Sequence, residues 1–102
     1  MTTTPPPGFW MVHVTIKDPE VYQDYATANG QVLEKYGAVF LARGGRYEPV
    51  EGLSRERHIV IQFESYDTAL ACYHDPEYQH LARKRQTSAE TELVIVEGIA
   101  QP

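Results

Sequence analysis

Residues 9–16 crowd β-branched and aromatic side chains into one extended run, the pattern of a strand. Asp18-Pro19 then signals a helix start: the carboxylate caps free N–H groups, and proline suits the first helical position. Tyr22, Tyr25, Asn29, Val32 and Tyr36 recur at three- and four-residue spacing, so they share one helix face, and Gly37 ends the run. Residues 38–43 read as a second strand. Gly44-Gly45 is expected to bulge or bend it, with Arg46-Tyr47-Glu48 resuming the extended run. Residues 49–54 read as a loop. In residues 57–63, Ile59, Ile61 and Phe63 alternate with His58, Val60 and Gln62, a third strand. Ser65 caps a helix to about residue 73, and Asp75-Pro76 restarts it to about residue 89. Leu93-Val94-Ile95-Val96 closes the chain as a fourth strand.

This order, β-α-β-β-α-β, predicts an α+β ferredoxin-like domain: a four-stranded antiparallel sheet with the helices on one face. Val12, Val14 and Ile16 fall on one side of the first strand, and Met11 and His13 on the other. A sheet apolar on both faces is usually covered on both. One chain has no third layer to offer, so a second copy on a two-fold axis is expected, making a homodimeric α/β barrel.

The ordered set Asp18-Pro19, Tyr22, Tyr25, Lys35-Tyr36-Gly37, Arg43-Gly44-Gly45, Glu51-Gly52, Gln62-Phe63, Ser65, Tyr73, Pro76-Glu77-Tyr78-Gln79 and Val96-Glu97-Gly98 resembles the domain of unknown function 1330 family. The resemblance spans about residues 9–98. It implies a dimeric α/β-barrel fold and supplies no mechanism. Leu53 and Cys72 stand where members often carry tryptophan, and Gly30-Gln31 where a proline is common. These departures are expected to alter the pocket's size and the first helix's bend.

Length and charge narrow the function classes. The chain has 102 residues, 42% hydrophobic and 23% charged, which suits one globular domain. Residues 1–7 are expected to form a disordered, proline-rich tail and residues 8–99 the single domain. That tail lacks the basic and apolar regions of a signal peptide, and no apolar run suits a membrane span, so a cytoplasmic location is the default expectation. A net charge of −5 argues against nucleic acid. Arg83-Lys84-Arg85 reads as a solvated helix face. His74 and His80, six apart, and Cys72 lack metal-ligand spacing. Cys72, the lone thiol, reads as an inert core residue, and no nucleophile elbow or phosphate loop occurs. No cofactor is called for.

Two constellations remain. His13 and His58 should share the sheet face away from the helices, with Gln62 facing the same way as His58. Histidines exchange protons near neutrality, so both are catalytic candidates, and Arg43 could hold an anion. Alternatively these polar groups satisfy one another in the dimer interface. Tyr25, Asn29, Tyr73 and Tyr78 form the second set. Asn29, facing the sheet, could bind a ligand carbonyl or carboxylate in a cleft lined by tyrosines, or the set could be an aromatic core. Tyr25, Asn29, Arg43 and Tyr73 are the candidate substrate-binding residues. The leading expectation is a homodimer with a pocket in each subunit for a small organic acid or aromatic compound. By fold analogy it would be a cofactor-independent enzyme, monooxygenase- or isomerase-like. The competing expectation is a non-catalytic dimeric binding or interaction module.

Overall fold

A computed structural model describes residues 5–101. Seven elements follow in order: β1 (Gly8–Ile16), α1 (Pro19–Lys35), β2 (Val39–Arg43), β3 (Arg57–Phe63), α2 (Tyr66–His74), α3 (Pro76–Ser88) and β4 (Ala89–Glu97). The strands pair antiparallel in the order β2-β3-β1-β4, which is the ferredoxin-like α+β arrangement expected. Residues 1–4 of the expected tail lie outside the described residues. Pro7 already joins the fold, its carbonyl accepting from Gly98 N–H at 2.7 Å.

β1 runs through the centre of the sheet, and its alternation sets the two faces. Trp10, Val12 and Val14 are buried towards the helices, across from Ile61 and Ile59 on one side and Ile95 and Leu93 on the other. Gly8 opens the strand where the backbone of Ser65 and Tyr66 passes so close that any β-carbon would collide with it. The helices add Val32, Leu33, Ala69, Cys72, Tyr78 and Ala82 to the same core. Among the described residues no helix covers the opposite sheet face. On it Val39, Val94 and Val96 are 54%, 59% and 42% exposed, and Met11 and Val60 are half-buried.

The second strand departs from expectation. It ends at Arg43, the register shift falls between Phe40 and Ala42, and Arg46-Tyr47-Glu48 pairs with no strand. The reason is Gly44, whose φ of +70° turns the chain out of the sheet after its N–H bonds the His58 carbonyl at 3.0 Å. β2 is an edge strand, so the chain beyond the turn has no neighbour to extend against.

Both Asp-Pro starts cap as expected. Asp18 Oδ1 accepts from Val21 N–H, and Asp75 Oδ1 accepts from Glu77 N–H at 2.8 Å. Asp75 also ties α3 to the end of α1: its Oδ2 accepts from the Tyr36 hydroxyl at 2.6 Å, and Lys35 Nζ lies 3.8 Å away. The Tyr36 hydroxyl, the Glu77 N–H and Lys35 together hold the Asp75 carboxyl below the usual carboxylate range. A native pKa below the unfolded value, about 3.9, gives stability that is complete above that value and lost as pH falls through the lowered one. Asp75→Asn should therefore be less stable than wild type at neutral pH, with the gap closing below about pH 4. Urea midpoints across that range check it, and an equal gap in acid and at neutrality would refute the coupling.

Candidate functional site

The phase of α1 turns Tyr22, Tyr25 and Asn29 onto the sheet, where they meet Phe40 and Arg43 from β2, Arg57 from β3 and Arg85 from α3. Between them lies a cavity of about 30 Å³ over a floor of Trp10, Val12 and Ile61. Three of the predicted ligand residues, Tyr25, Asn29 and Arg43, come together here.

Its polar groups are incompletely partnered. Asn29 is 8% exposed, and its Oδ1 has no hydrogen-bond partner within the described chain. The Nε atoms of Arg57 and Arg85 are buried and equally unpartnered, and Arg85 as a whole is 5% exposed. Arg85 lies over the Tyr25 ring, 5.6 Å from its centre, while Arg43 lies 4.2 Å over Phe40 and is exposed at the rim. The Tyr25 and Tyr78 hydroxyls meet at 2.6 Å. Burial pushes the Tyr78 phenol well above its ordinary range, so it stays protonated near neutrality. The lining contains cations and phenols but no carboxylate and no imidazole.

Arg57 and Arg85 escape the sequence reading, which takes 83–85 as a solvated face. The signal exists: Tyr78, Ala82 and Arg85 recur at helical spacing, and all are buried on one side of α3. Arg57 opens β3, where alternation puts it on the side of Ile59 and Ile61.

Tyr73 stands apart from this cavity. It packs edge-on against Trp10 at 5.9 Å and tilted against Tyr78 at 5.8 Å, on the helix α2 rather than α1. His13 and His58 lie on the far face, directly across from each other in the β1–β3 ladder. Their Nδ1 atoms are 2.8 Å apart, so one ring donates and the other accepts. Tyr47 packs on His58, Ser54 Oγ sits 3.3 Å from its Nε2, and the loop over residues 48–54 walls a basin of about 700 Å³. At its edge Arg55 binds both oxygens of Glu92 and one of Glu90. The sheet separates these histidines from the Asn29 cavity of the same subunit.

Cys72 is buried, and burial pushes its thiol up to about 12, which keeps it protonated and inert. Among the described residues no group of three or more His, Cys, Asp or Glu could hold a metal ion, and no helix is long and apolar enough to cross a membrane.

Comparison with solved structures supports the fold. A protein of unknown function from Rhodopseudomonas palustris, RPA0582, superposes with a TM-score of 0.75 at 17% identity, over 99% of this chain and 88% of that one. A hypothetical Arabidopsis thaliana protein gives 0.69 at 13% identity, over 97% and 94%. SnoaB from Streptomyces nogalater, described as a cofactor-independent oxygenase, gives 0.59 at 8% identity, over 89% and 91%. None of the curated proteins matches the chain. The family model described as Domain of unknown function (DUF1330) matches residues 7–99.

Proposed function

Since the chain belongs to the domain of unknown function DUF1330 family, we propose a role from its own geometry: a homodimer whose subunits each bind a small organic acid or aromatic compound. The ligand enters the cleft between α1 and the sheet with its polar end in the cavity and the rest of it towards the rim at Arg43. The observation carrying this reading is the buried, unpartnered Asn29 Oδ1 beside the unpartnered guanidinium nitrogens of Arg57 and Arg85. Buried polar atoms rarely go unsatisfied, and here two donors and an acceptor belong to side chains that line one cavity.

The dimer is supported by the open sheet face. Two copies meeting there would bury Val39, Val94 and Val96 and close a barrel over the paired histidines. A cytoplasmic setting is part of the same proposal.

An enzymatic reading, cofactor-independent and monooxygenase- or isomerase-like, draws on the architecture shared with SnoaB. In it the arginines stabilise negative charge on the substrate and the Tyr25–Tyr78 pair supplies a hydroxyl donor. His13 and His58, on the other side of the sheet, would move protons only for a ligand held in the far-face basin. The alternative, a non-catalytic binding module, is favoured by one observation: the Asn29 cavity contains no base that could abstract a proton.

A thermal-shift screen of small organic acids, phenols and quinones, with flavin and haem as controls, tests the reading. A ligand at one hundred times its dissociation constant adds about 2.7 kcal/mol of stability. Asn29→Ala and Arg43→Ala are each expected to weaken a hit by about tenfold, the worth of one good hydrogen bond to a charged or buried partner. Unchanged affinity in both would overturn the placement of the ligand. No shift across the whole panel would leave the interaction module as the better account.

A further inference from the structure

Charge accounting around the cavity narrows the ligand. The ion pairs among the described residues engage Lys17, Lys35 and Arg55, and none reaches Arg57 or Arg85. Arginine remains protonated at every physiological pH. Arg85, 5% exposed, therefore carries a full charge in the interior, beside the Tyr25 and Tyr78 hydroxyls and with no carboxylate paired to it among the described residues. A buried cation without a counter-charge is among the costliest arrangements a fold can hold. Arg57, half-buried on the facing strand with its Nε enclosed, brings a second guanidinium without an ion-pair partner, with Tyr22 as its neighbour.

Asn29 adds a second requirement. A carboxylate alone would satisfy both arginines, yet it carries no hydrogen to give to Asn29 Oδ1. The occupant must accept from the guanidinium N–H groups and donate to the amide oxygen. Only a few of its atoms can lie at the inner end, because about 30 Å³ corresponds to the space of roughly two water molecules, so the remainder lies in the opening towards the rim.

We propose that the inner end of the cleft is a subsite for a compact hydroxycarboxylate, with Arg57 and Arg85 taking its carboxylate and Asn29 Oδ1 accepting from its hydroxyl. This rests on the small-ligand reading above and names the chemistry of that site. Any larger part of the molecule extends towards the rim, where Arg43 lies over Phe40. Gly44 is a positioning residue for this subsite. The Arg57 guanidinium rests against its α-carbon, and a side chain there would push it aside.

The probes are glycolate and lactate, with acetate, chloride and inorganic phosphate at equal ionic strength, read by calorimetry and thermal shift on the full chain. Glycolate or lactate is expected to bind at least about tenfold more tightly than acetate, the factor one hydrogen bond from the hydroxyl supplies. Asn29→Asp places a carboxylate of the protein's own beside the arginines. It is expected to raise the melting temperature of the ligand-free protein and to abolish the shift with glycolate. Arg57→Gln should lose the same shift. Should Arg57→Gln fail to fold, Asn29→Asp still decides the matter, since a lowered melting temperature there would deny the uncompensated charge. Equal affinity for acetate and glycolate would overturn the hydroxyl contact. Binding of other organic ligands with none of these acids would overturn the subsite and leave the broader pocket standing. No binding of any small molecule would remove both.

Discussion

Trp10→Ala should cost the fold about 3–5 kcal/mol, read as a lowered urea midpoint at unchanged m-value. Trp10 is 1% exposed at the middle of the central strand, between Ile61 and Ile95 of its two neighbours. Its ring meets Phe63 at 5.3 Å, Tyr78 at 5.0 Å and Tyr73 at 5.9 Å, so truncation strips packing from three aromatic partners. Its Nε1–H donates to the Ala69 carbonyl at 3.0 Å, a bond from the sheet to α2 that the truncation removes. A small domain has about 5–15 kcal/mol in total, so the variant sits near the edge of folding. Trp10→Phe keeps a ring and loses the bond, and should fall between wild type and Ala. A loss below about 1 kcal/mol in Trp10→Ala would contradict the packing described.

Val94→Asp should convert the proposed dimer to a monomer, raising its dissociation constant by about a hundredfold or more. Val94 is 59% exposed on the uncovered face, across from Met11 and two residues from Val96. In an isolated subunit the new carboxylate stays in water, so monomer stability should move by no more than about 0.5 kcal/mol. Between two such faces the carboxylates of both copies would be buried without a partner. Sedimentation velocity distinguishes the outcomes. A variant that stays dimeric would place the subunit contact elsewhere.

The elements legible in the sequence were those set by short-range chemistry. The Asp-Pro pairs fixed two helix starts, because capping and proline geometry act within one turn. The His13–His58 pairing followed from topology alone, once the first and third strands were read as neighbours. Tyr25, Asn29 and Arg43 converged because alternation and helical phase carry facing information over a few residues. What the sequence hid was set by the third dimension. The run 83–85 looks solvated, and only the packing of α3 on α1 decides that its last member turns inward. Arg46 to Glu48 has extended character, but no strand stands beyond the β2 edge to receive it. Tyr73 sits on α2 rather than α1, away from the cavity lining.

The placement of β1 has a kinetic consequence. The strand is synthesised first, yet its ladder partners are β3 and β4, and the indole bond from Trp10 closes a separation of 59 residues. Long-range pairings of this kind delay the reward for chain closure, so folding is expected over milliseconds to seconds rather than microseconds. A nascent chain cannot complete its central ladder before residue 97 has left the ribosome. Until then β1 keeps the backbone edge that β4 will take, and its row of apolar side chains, open to whatever binds unfinished chains.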